Sequence, residues 1–181
     1  RNTRSDEPGT DMQDSQYLGL NLDLNLNKKI ALDASVAYVR SDIDYGYDED
    51  WTFTGFDVAG YSSTDLYSRD VDTVTLDLRL LSRVGEGLAA GKVDWVVGFY
   101  ALDRQVDLTR QYTYLANNFT SDFDVDRVAL YGEVSSELAE GLRLSVGLRA
   151  EEHSSNYSDS ESVSFAPDDN LLGGRVLLEK V

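Results

Sequence analysis

The chain has 181 residues, with 33 acidic and 16 basic side chains and a formal net charge of −17. This charge argues against nucleic acid as a partner, because the phosphates would be repelled. There is no cysteine, which excludes a disulfide framework and thiolate chemistry. No stretch approaches the roughly eighteen apolar residues of a transmembrane helix, so any membrane crossing has to use β-strands.

The first predicted element is a β-hairpin with one apolar and one polar face. Leucines occupy every second position from Leu18 to Leu26, and the alternation resumes from Ile30 to Tyr38 after a short polar turn. Successive side chains of a strand point to opposite faces, so each run has one apolar side. Each run covers about nine residues, close to the length of a strand that crosses a bilayer. A soluble antiparallel sheet with one wet face would show the same alternation.

Five further alternating runs follow the hairpin. The chain is therefore predicted to be all-β, with about seven or eight strands. The apolar rows of these runs span residues 74–80, 95–101, 128–136, 142–150 and 172–178.

The connections between these runs alternate in length. Residues 27–29, 82–92 and 138–141 are short turns, whereas residues 41–72, 103–126 and 153–170 are predicted to be long polar loops. Short turns at one end and long loops at the other are typical of outer-membrane barrels. The sequence thus predicts an antiparallel up-and-down meander, a segment of an outer-membrane β-barrel.

Aromatic side chains concentrate near the predicted loop ends. They are either a girdle at the level of the lipid headgroups or the ordinary enrichment of aromatics in β-proteins. The residues concerned are Tyr38, Tyr45, Tyr47, Trp51, Phe53, Phe99, Tyr100, Tyr112 and Tyr114.

The second half of the chain resembles a known family. The stretch DWVVGFY (94–100) looks like the W-x-x-G-x-Y/F strand of TonB-dependent receptors. VALYGE (128–133) with LRLSVGLR (142–149) is similar to the Y-G-E…L-x-L-x-x-G-L-R hairpin of that family, and LGGRVLLE (172–179) to the next strand. The order and spacing of these pieces match the middle of the receptor barrel, whereas the first 92 residues fit as generic barrel strands.

The resemblance implies a large barrel around an N-terminal plug, with a TonB box that couples uptake to the inner membrane. No plug, TonB box or signal peptide is recognised, so residues 1–181 are interpreted as one internal barrel segment of a receptor in the bacterial outer membrane. The chain begins at Arg1, as expected of a processed or recombinant product or a piece of a larger protein. The implied partners are outer-membrane lipid, a small nutrient ligand and, through other parts of the receptor, TonB. Unpaired edge strands also favour self-association.

Few residues suggest reaction chemistry, and neither a cofactor nor an enzymatic activity is predicted. His153 is the only histidine, beside a serine-rich stretch interpreted as a solvated loop. A dense acidic run either is a solvated loop or weakly binds a divalent cation. Its candidate ligands are Asp42, Asp44, Asp48 and Asp50.

The polar sides of the predicted strands carry charges of both signs, which would pair across neighbouring strands in a barrel lumen. On another strand, Asp122, Asp124 and Asp126 share one face, and Arg127, a cation or water would relieve their repulsion. The expected lumen charges are Asp23, Asp33, Asp77, Arg79, Asp94, Glu133, Arg143, Arg149, Glu151, Arg175 and Glu179.

The predicted function is uptake of a scarce nutrient, such as a siderophore, a cofactor or a glycan, by a TonB-dependent receptor. Loop aromatics would stack on the ligand. One alternative is a small self-contained barrel closed by an eighth strand within residues 51–61, and another is a soluble, secreted β-sandwich that acts as a binding module. The candidate ligand contacts are Tyr45, Tyr47, Trp51, Tyr112 and Tyr114.

Overall fold

A computed structural model describes residues 5–56 and 60–180 and consists mostly of β-strands, which confirms the all-β prediction. A four-residue helical turn, α1 (Leu88–Gly91), includes two alanines with left-handed backbone, Ala89 and Ala90. None of the helical residues in the described ranges forms a segment long and apolar enough to span a membrane. The strands are β1 (Thr10–Asn25), β2 (Ile30–Asp48), β3 (Thr64–Ser82), β4 (Val93–Tyr112), β5 (Phe119–Ala139), β6 (Leu142–Asp159), β7 (Ser164–Phe165) and β8 (Asp168–Lys180).

The strands form one antiparallel meander. Each strand from β1 to β6 pairs with the next, and β7 and β8 both pair with β6. The segment between β7 and β8 contains Pro167, which has no N–H to donate to a β-ladder. The two pieces therefore occupy one strand position beside β6, in agreement with the meander that the alternating runs predict.

This topology decides between the alternatives. A β-sandwich needs two packed sheets, and the described residues form one, so that alternative is wrong. The first strand pairs only with β2, and β8 only with β6, so the described residues do not close a barrel by themselves. Residues 51–56, 60 and 61 contain no strand, and residues 57–59 lie outside the described part of the chain.

The register places the alternating apolar side chains of all the long strands on one face, which we call the outer face. One row of directly paired residues crosses the whole sheet on this face. Its side chains are largely exposed, for example Leu130 at 61% and Leu172 at 82%. The row consists of Leu22, Ala34, Leu78, Phe99, Leu130, Ala150 and Leu172.

The single sheet has almost no interior of its own. Of the apolar side chains in the described ranges, only Val71 and Ala129 are buried. An apolar surface of this extent is covered by lipid or by other protein in a stable molecule. We call the rows from Leu18–Leu24 across to Leu172–Leu178 the apolar band.

The strands are longer than the sequence patterns predicted. The expected loop at residues 41–72 is mostly strand, because β2 runs to Asp48 and β3 begins at Thr64. Most of residues 103–126 and 153–170 likewise continue as paired strands. At this end the described residues outside strands are 49–56, 60–63, 113–118, 160–163, 166 and 167. The predicted boundaries were wrong because charge was interpreted as a loop signal, although alternation continues through the charged residues.

Beyond the apolar band, the two faces exchange their polarity. The paired residues beyond the band, in the ranges 10–17, 39–48, 64–73, 102–112, 119–127, 151–159 and 164–170, form what we call the strand extension. Apolar side chains occupy even positions of β2 up to Tyr38, and odd positions from Val39 onward. In the strand extension the outer face is therefore acidic, and the opposite, inner face is rich in apolar and aromatic side chains.

Candidate ligand site on the strand extension

The predicted aromatic ligand contacts come together at the loop end of β2, β3 and β4. The register pairs Tyr47 with Asp65, Asp65 with Tyr112, and Tyr67 with Arg110. Paired residues share a face of the sheet, so all of these side chains project from the inner face. We call this group, with Tyr45, Trp51, Tyr61 and Tyr114, the aromatic cluster.

Asp65 lies at the centre of the aromatic cluster and is only 1% exposed. Arg110 donates from Nε to Oδ1 at 2.8 Å and from Nη2 to Oδ2 at 2.6 Å. The hydroxyls of Tyr67 and Tyr47 donate to Oδ2 at 3.0 Å and 3.3 Å. A two-pronged guanidinium–carboxylate pair of this kind fixes both side chains in one geometry.

These contacts determine the protonation states of the cluster. The hydrogen bonds from Arg110 hold the pKa of Asp65 below its usual range. Burial raises the pKa of both the Tyr67 and the Tyr47 hydroxyl, and the neighbouring Asp65 adds to the shift. At neutral pH, Asp65 is therefore ionised and both hydroxyls are neutral donors.

The aromatic rings form a chain of contacts around this pair. The Arg110 guanidinium lies 5.3 Å from the centre of the Tyr67 ring and 5.4 Å from that of Tyr112. On one side Tyr45 contacts Tyr47 with ring centroids 5.8 Å apart, and Trp51 follows at 6.4 Å from Tyr47. On the other side, Tyr112 meets Tyr114 at 5.7 Å.

The aromatic rings at the two ends of this series of contacts are exposed to solvent. Trp51 is 71% exposed and Tyr114 is 54% exposed. The Tyr114 ring also stacks on Tyr61, with centroids 5.7 Å apart. Exposed rings held by neighbours bind planar groups or the C–H faces of sugars at a small entropic cost. The cluster is therefore chemically suited to stacking on a ligand.

Four members of the cluster were missed by sequence reasoning: Tyr61, Asp65, Tyr67 and Arg110. The sequence did contain a signal for Asp65 and Tyr67. Both belong to a run of alternate positions typical of one face of a strand, which continues with Arg69 and Val71. The partner of Asp65 is 45 residues away in the chain, and only the register of β3 against β4 identifies it.

The aromatic residues do not form one girdle. Tyr38 lies on the outer face at the border of the apolar band, as a girdle requires, whereas Phe99 lies on the same face in the middle row of the band. Tyr45, Tyr100 and Tyr112 lie on the inner face, as does Tyr47, so the girdle interpretation is wrong for these four.

The acidic run splits between two places. Asp42, Asp44 and Asp48 are on the outer face of β2, whereas Asp50 accepts hydrogen bonds from the backbone of Thr52 and Ser63 in the adjoining loop. Asp48 is buried, and its Oδ2 atom has no hydrogen-bond partner among the described residues. Across the part of the chain that the structure describes, no three potential ligands gather into a group that could hold a metal ion. The cation site stays a prediction.

Eight of the expected lumen charges form ion pairs on the inner face at the level of the apolar band, although not between neighbouring strands as predicted, and Asp23, Asp33 and Glu179 form none among the described residues. Arg143 reaches across β5 to Asp94 at 3.1 Å, and Arg175 bonds Glu133 in the same way. Two further pairs join neighbouring same-face residues of one strand, Arg79 with Asp77 at 2.7 Å and Arg149 with Glu151 at 2.7 Å.

His153 also faces the inner side, and its Nδ1 accepts a hydrogen bond from Arg127 Nε at 2.9 Å. Arg127 therefore points away from Asp126, and the idea that it relieves the repulsion among Asp122, Asp124 and Asp126 is wrong. The arrangement around His153 contains no nucleophile aligned with a base among its described contacts.

Comparison with known families identifies this barrel architecture. The model of the family described as "TonB dependent receptor-like, beta-barrel" matches residues 1–174. The chain belongs to this family. A comparison with curated proteins gave no match.

Solved receptors show the same fold. The ferric yersiniabactin uptake receptor FyuA from Yersinia pestis is 17% identical, with a TM-score of 0.58 over 92% of this chain and 24% of its own. The ferric citrate transporter FecA is 12% identical, with a TM-score of 0.70 over 88% of this chain and 24% of its own. The ferric preacinetobactin receptor BauA from Acinetobacter baumannii is 14% identical, with a TM-score of 0.60 over 93% and 28%. This TonB-dependent receptor segment thus spans about a quarter of those proteins.

Proposed function

We propose that this chain forms part of the barrel wall of a bacterial outer-membrane receptor that imports a scarce nutrient. The apolar band contacts membrane lipid, and the strand extension lines the extracellular vestibule. Coupling to TonB is provided by segments of the receptor other than this sheet. The imported ligand is of the class that includes siderophores, cofactors and glycans.

The aromatic cluster is the observation that supports this function. Its rings face the side of the sheet that lines the lumen in a barrel, and they lie beyond the lipid-facing rows. The Asp65–Arg110 pair holds Tyr67 and Tyr112 in place, while Trp51 and Tyr114 remain exposed. A ligand that enters from the loop end meets these rings first.

The test is nutrient uptake by cells that carry the complete receptor. Replacement of Tyr45, Tyr47 and Trp51 by alanine removes one arm of the cluster, and we expect uptake to fall at least about tenfold, since lost stacking costs about 1 kcal/mol or more per ring.

A matched control is Phe99→Ala, which removes an aromatic ring from the outer face of the apolar band. Receptor abundance in the membrane is measured for every variant. Unchanged uptake in the triple variant, at normal abundance, would contradict a ligand-binding role of the cluster.

A further inference from the structure

Three arginines of the strand extension stand beside an aspartate in sequence. The adjacent pairs are Arg69 with Asp70, Asp103 with Arg104, and Asp126 with Arg127. Neighbouring residues of a strand point to opposite faces. In all three strands the aspartate lies on the acidic outer face and the arginine on the inner face.

Among the arginines on the described strands, these three have no carboxylate partner. The side chains of Arg69 and Arg104 are exposed and have no hydrogen-bond or ion-pair partner among the described residues. Arg127 bonds only the acceptor nitrogen of His153 within those ranges. Six arginines elsewhere on the strands are paired with carboxylates. They are Arg40, Arg79, Arg110, Arg143, Arg149 and Arg175.

The inner-face carboxylates of this region are bonded to other groups or lie at the edges of the sheet. Asp65 and Glu151 are each held by an arginine of their own. Asp159 accepts hydrogen bonds from a tyrosine and from the backbone of the following turn. Asp11 and Asp169 lie on β1 and β8, the two edge strands. Although the chain has about twice as many acidic as basic residues, these three guanidinium groups on the inner face of the strand extension have no carboxylate partner among the described residues.

The three arginines follow a diagonal line that starts at the aromatic cluster. Arg69 is the next inner-face residue of β3 after Tyr67. Arg104 pairs with Thr73, four residues further along β3, a distance of about 13 Å along the strand.

The other two arginines are closer together. Arg104 pairs with Val125 on β5, and Arg127 is the next residue of β5 on the same face. Diagonal neighbours of this kind have Cα atoms roughly 7–8 Å apart. Because arginine side chains are long and flexible, one ligand with several charged groups can reach all three guanidinium groups.

We propose that the inner face of the strand extension is an anion-binding surface, on which Arg69, Arg104 and Arg127 receive the oxyanion groups of a ligand whose planar part stacks on the aromatic cluster. A guanidinium binds carboxylate, phosphate or sulfonate oxygens through paired N–H donors. The acidic outer face repels the same ligand, which directs it to the inner side. This inference rests on the proposed function and adds that the imported nutrient is a polyanion.

The experiment uses the complete receptor, purified in detergent, and hydroxypyrene trisulfonate, a planar fluorescent trianion, as the probe. Binding is followed by fluorescence anisotropy at low and at high salt. We expect saturable binding that weakens with salt. Arg69→Gln and Arg104→Gln should each lower the affinity about tenfold, the effect of one lost charge-assisted contact.

Arg40→Gln is the matched control, because Arg40 lies at a similar level but on the outer face, where it pairs with Asp42. It makes the same change of charge and should leave the affinity within about twofold. The heat-dependent shift in electrophoretic mobility verifies the fold of each variant. Absence of binding at low salt, unchanged affinity in both glutamine variants, or an equal loss in Arg40→Gln would each overturn the anion-binding surface.

The same assay separates this inference from the proposed function. If Tyr45→Ala and Tyr47→Ala weaken dye binding while the arginine variants do not, the aromatic site stands and the anion-binding surface fails. If uptake and dye binding are both unaffected by either set, the two proposals fail together.

Discussion

At the scale of single residues, the contact between Asp65 and Arg110 organises the candidate site. Asp65 is almost fully buried, whereas the Arg110 side chain is 36% exposed. Removal of one partner from such a pair leaves the other charge without compensation, which costs more than the intact pair contributes. The two tyrosine hydroxyls that also bond Asp65 cannot replace a guanidinium.

Arg110→Gln should therefore loosen the loop ends of β3 and β4. We expect the free energy of local opening to fall by about 2 kcal/mol, less than for a fully buried pair because Arg110 is partly solvated. Hydrogen exchange of residues 64–68 and 108–112, read by mass spectrometry, measures this change. Arg40→Gln breaks an exposed pair and should leave hydrogen exchange in these residues close to that of the unsubstituted receptor. Equal exchange in the two variants would contradict the central role of the Asp65–Arg110 pair.

At the scale of strands, the outer face of the strand extension carries a row of directly opposed aspartates. The row crosses five neighbouring strands. Like charges opposite each other destabilise a sheet. The Asp42 carboxyl raises the pKa of Asp70 through a hydrogen bond, and burial, with Asp122 beside it, raises the pKa of Asp107. The row consists of Asp14, Asp42, Asp70, Asp107 and Asp122.

These shifts determine how stability depends on pH. A carboxyl whose pKa is raised in the folded state binds more protons there than in the unfolded chain, so folding is favoured as the pH falls from neutrality toward 3.8, the ordinary value. Asp65 has the opposite shift, and its stabilisation is lost only below that value. The strand extension should be more resistant to urea at about pH 5 than at about pH 7.

Asp70→Asn removes one member of the row and should stabilise the strand extension at neutral pH by about 0.5 kcal/mol. It should also reduce the gain on acidification. Asp11→Asn, which neutralises an exposed carboxylate outside the row, serves as the control. Proteolytic cleavage of the strand extension at increasing urea concentration, at neutral and at mildly acidic pH, measures both the stabilisation and the reduced gain on acidification. If the strand extension is more stable at neutral pH than in mild acid, repulsion within the aspartate row does not limit its stability.

The Tyr131 side chain on β5 packs directly over Gly98, its paired residue on β4. The tyrosine ring lies where a Cβ atom at Gly98 would be, and its hydroxyl donates to Asp77 at 2.8 Å while it accepts from Arg79 at 3.0 Å. An added methyl group displaces the ring from both hydrogen bonds, so Gly98→Ala should lower the free energy of unfolding by about 1–3 kcal/mol.

Gly173→Ala is the control for this prediction, because a Cβ atom added at Gly173 would have no heavy atom of the described residues within 4 Å, and its φ is not positive. It should change stability by less than about 0.5 kcal/mol. Unfolding in urea, in detergent, compares the two alanine variants. Equal stability would show that the Tyr131 ring moves without loss.

At the scale of the whole molecule, the sheet is one layer whose outer face needs an apolar environment. Leu78 lies in the middle row of the apolar band, whereas Thr75, on the same strand, faces inward. In a lipid bilayer an arginine at the middle of the lipid face costs about 2–4 kcal/mol, and one on the lumen side costs little.

Leu78→Arg should therefore lower the folding free energy of the receptor in lipid vesicles by about 2–4 kcal/mol, and Thr75→Arg by less than about 1 kcal/mol. Urea titration in vesicles, with tryptophan fluorescence as the signal, measures the difference. The opposite order of the two variants would mean that the faces of the sheet are reversed relative to lipid.

The amino-acid sequence alone determined the strand type, the meander and the apolar rows of the outer face. This was possible because a strand has a period of two residues, so an apolar row such as Leu18 to Leu24 reports its own face without reference to any partner. The order and spacing of the short Gly- and aromatic-containing motifs in residues 94–179 also indicated the receptor family.

Only the tertiary structure decided which distant side chains share a site. The exchange of polarity at Tyr38 and Val39 is visible in the sequence, yet charge alone cannot say whether the residues beyond it are loop or strand. Strand register then set the rest, because a shift by one residue moves every side chain to the other face. Register is what pairs Tyr67 with Arg110, brings Asp65 beside the same guanidinium, and turns Arg69 and Arg104 inward while Asp70 and Asp103 face outward.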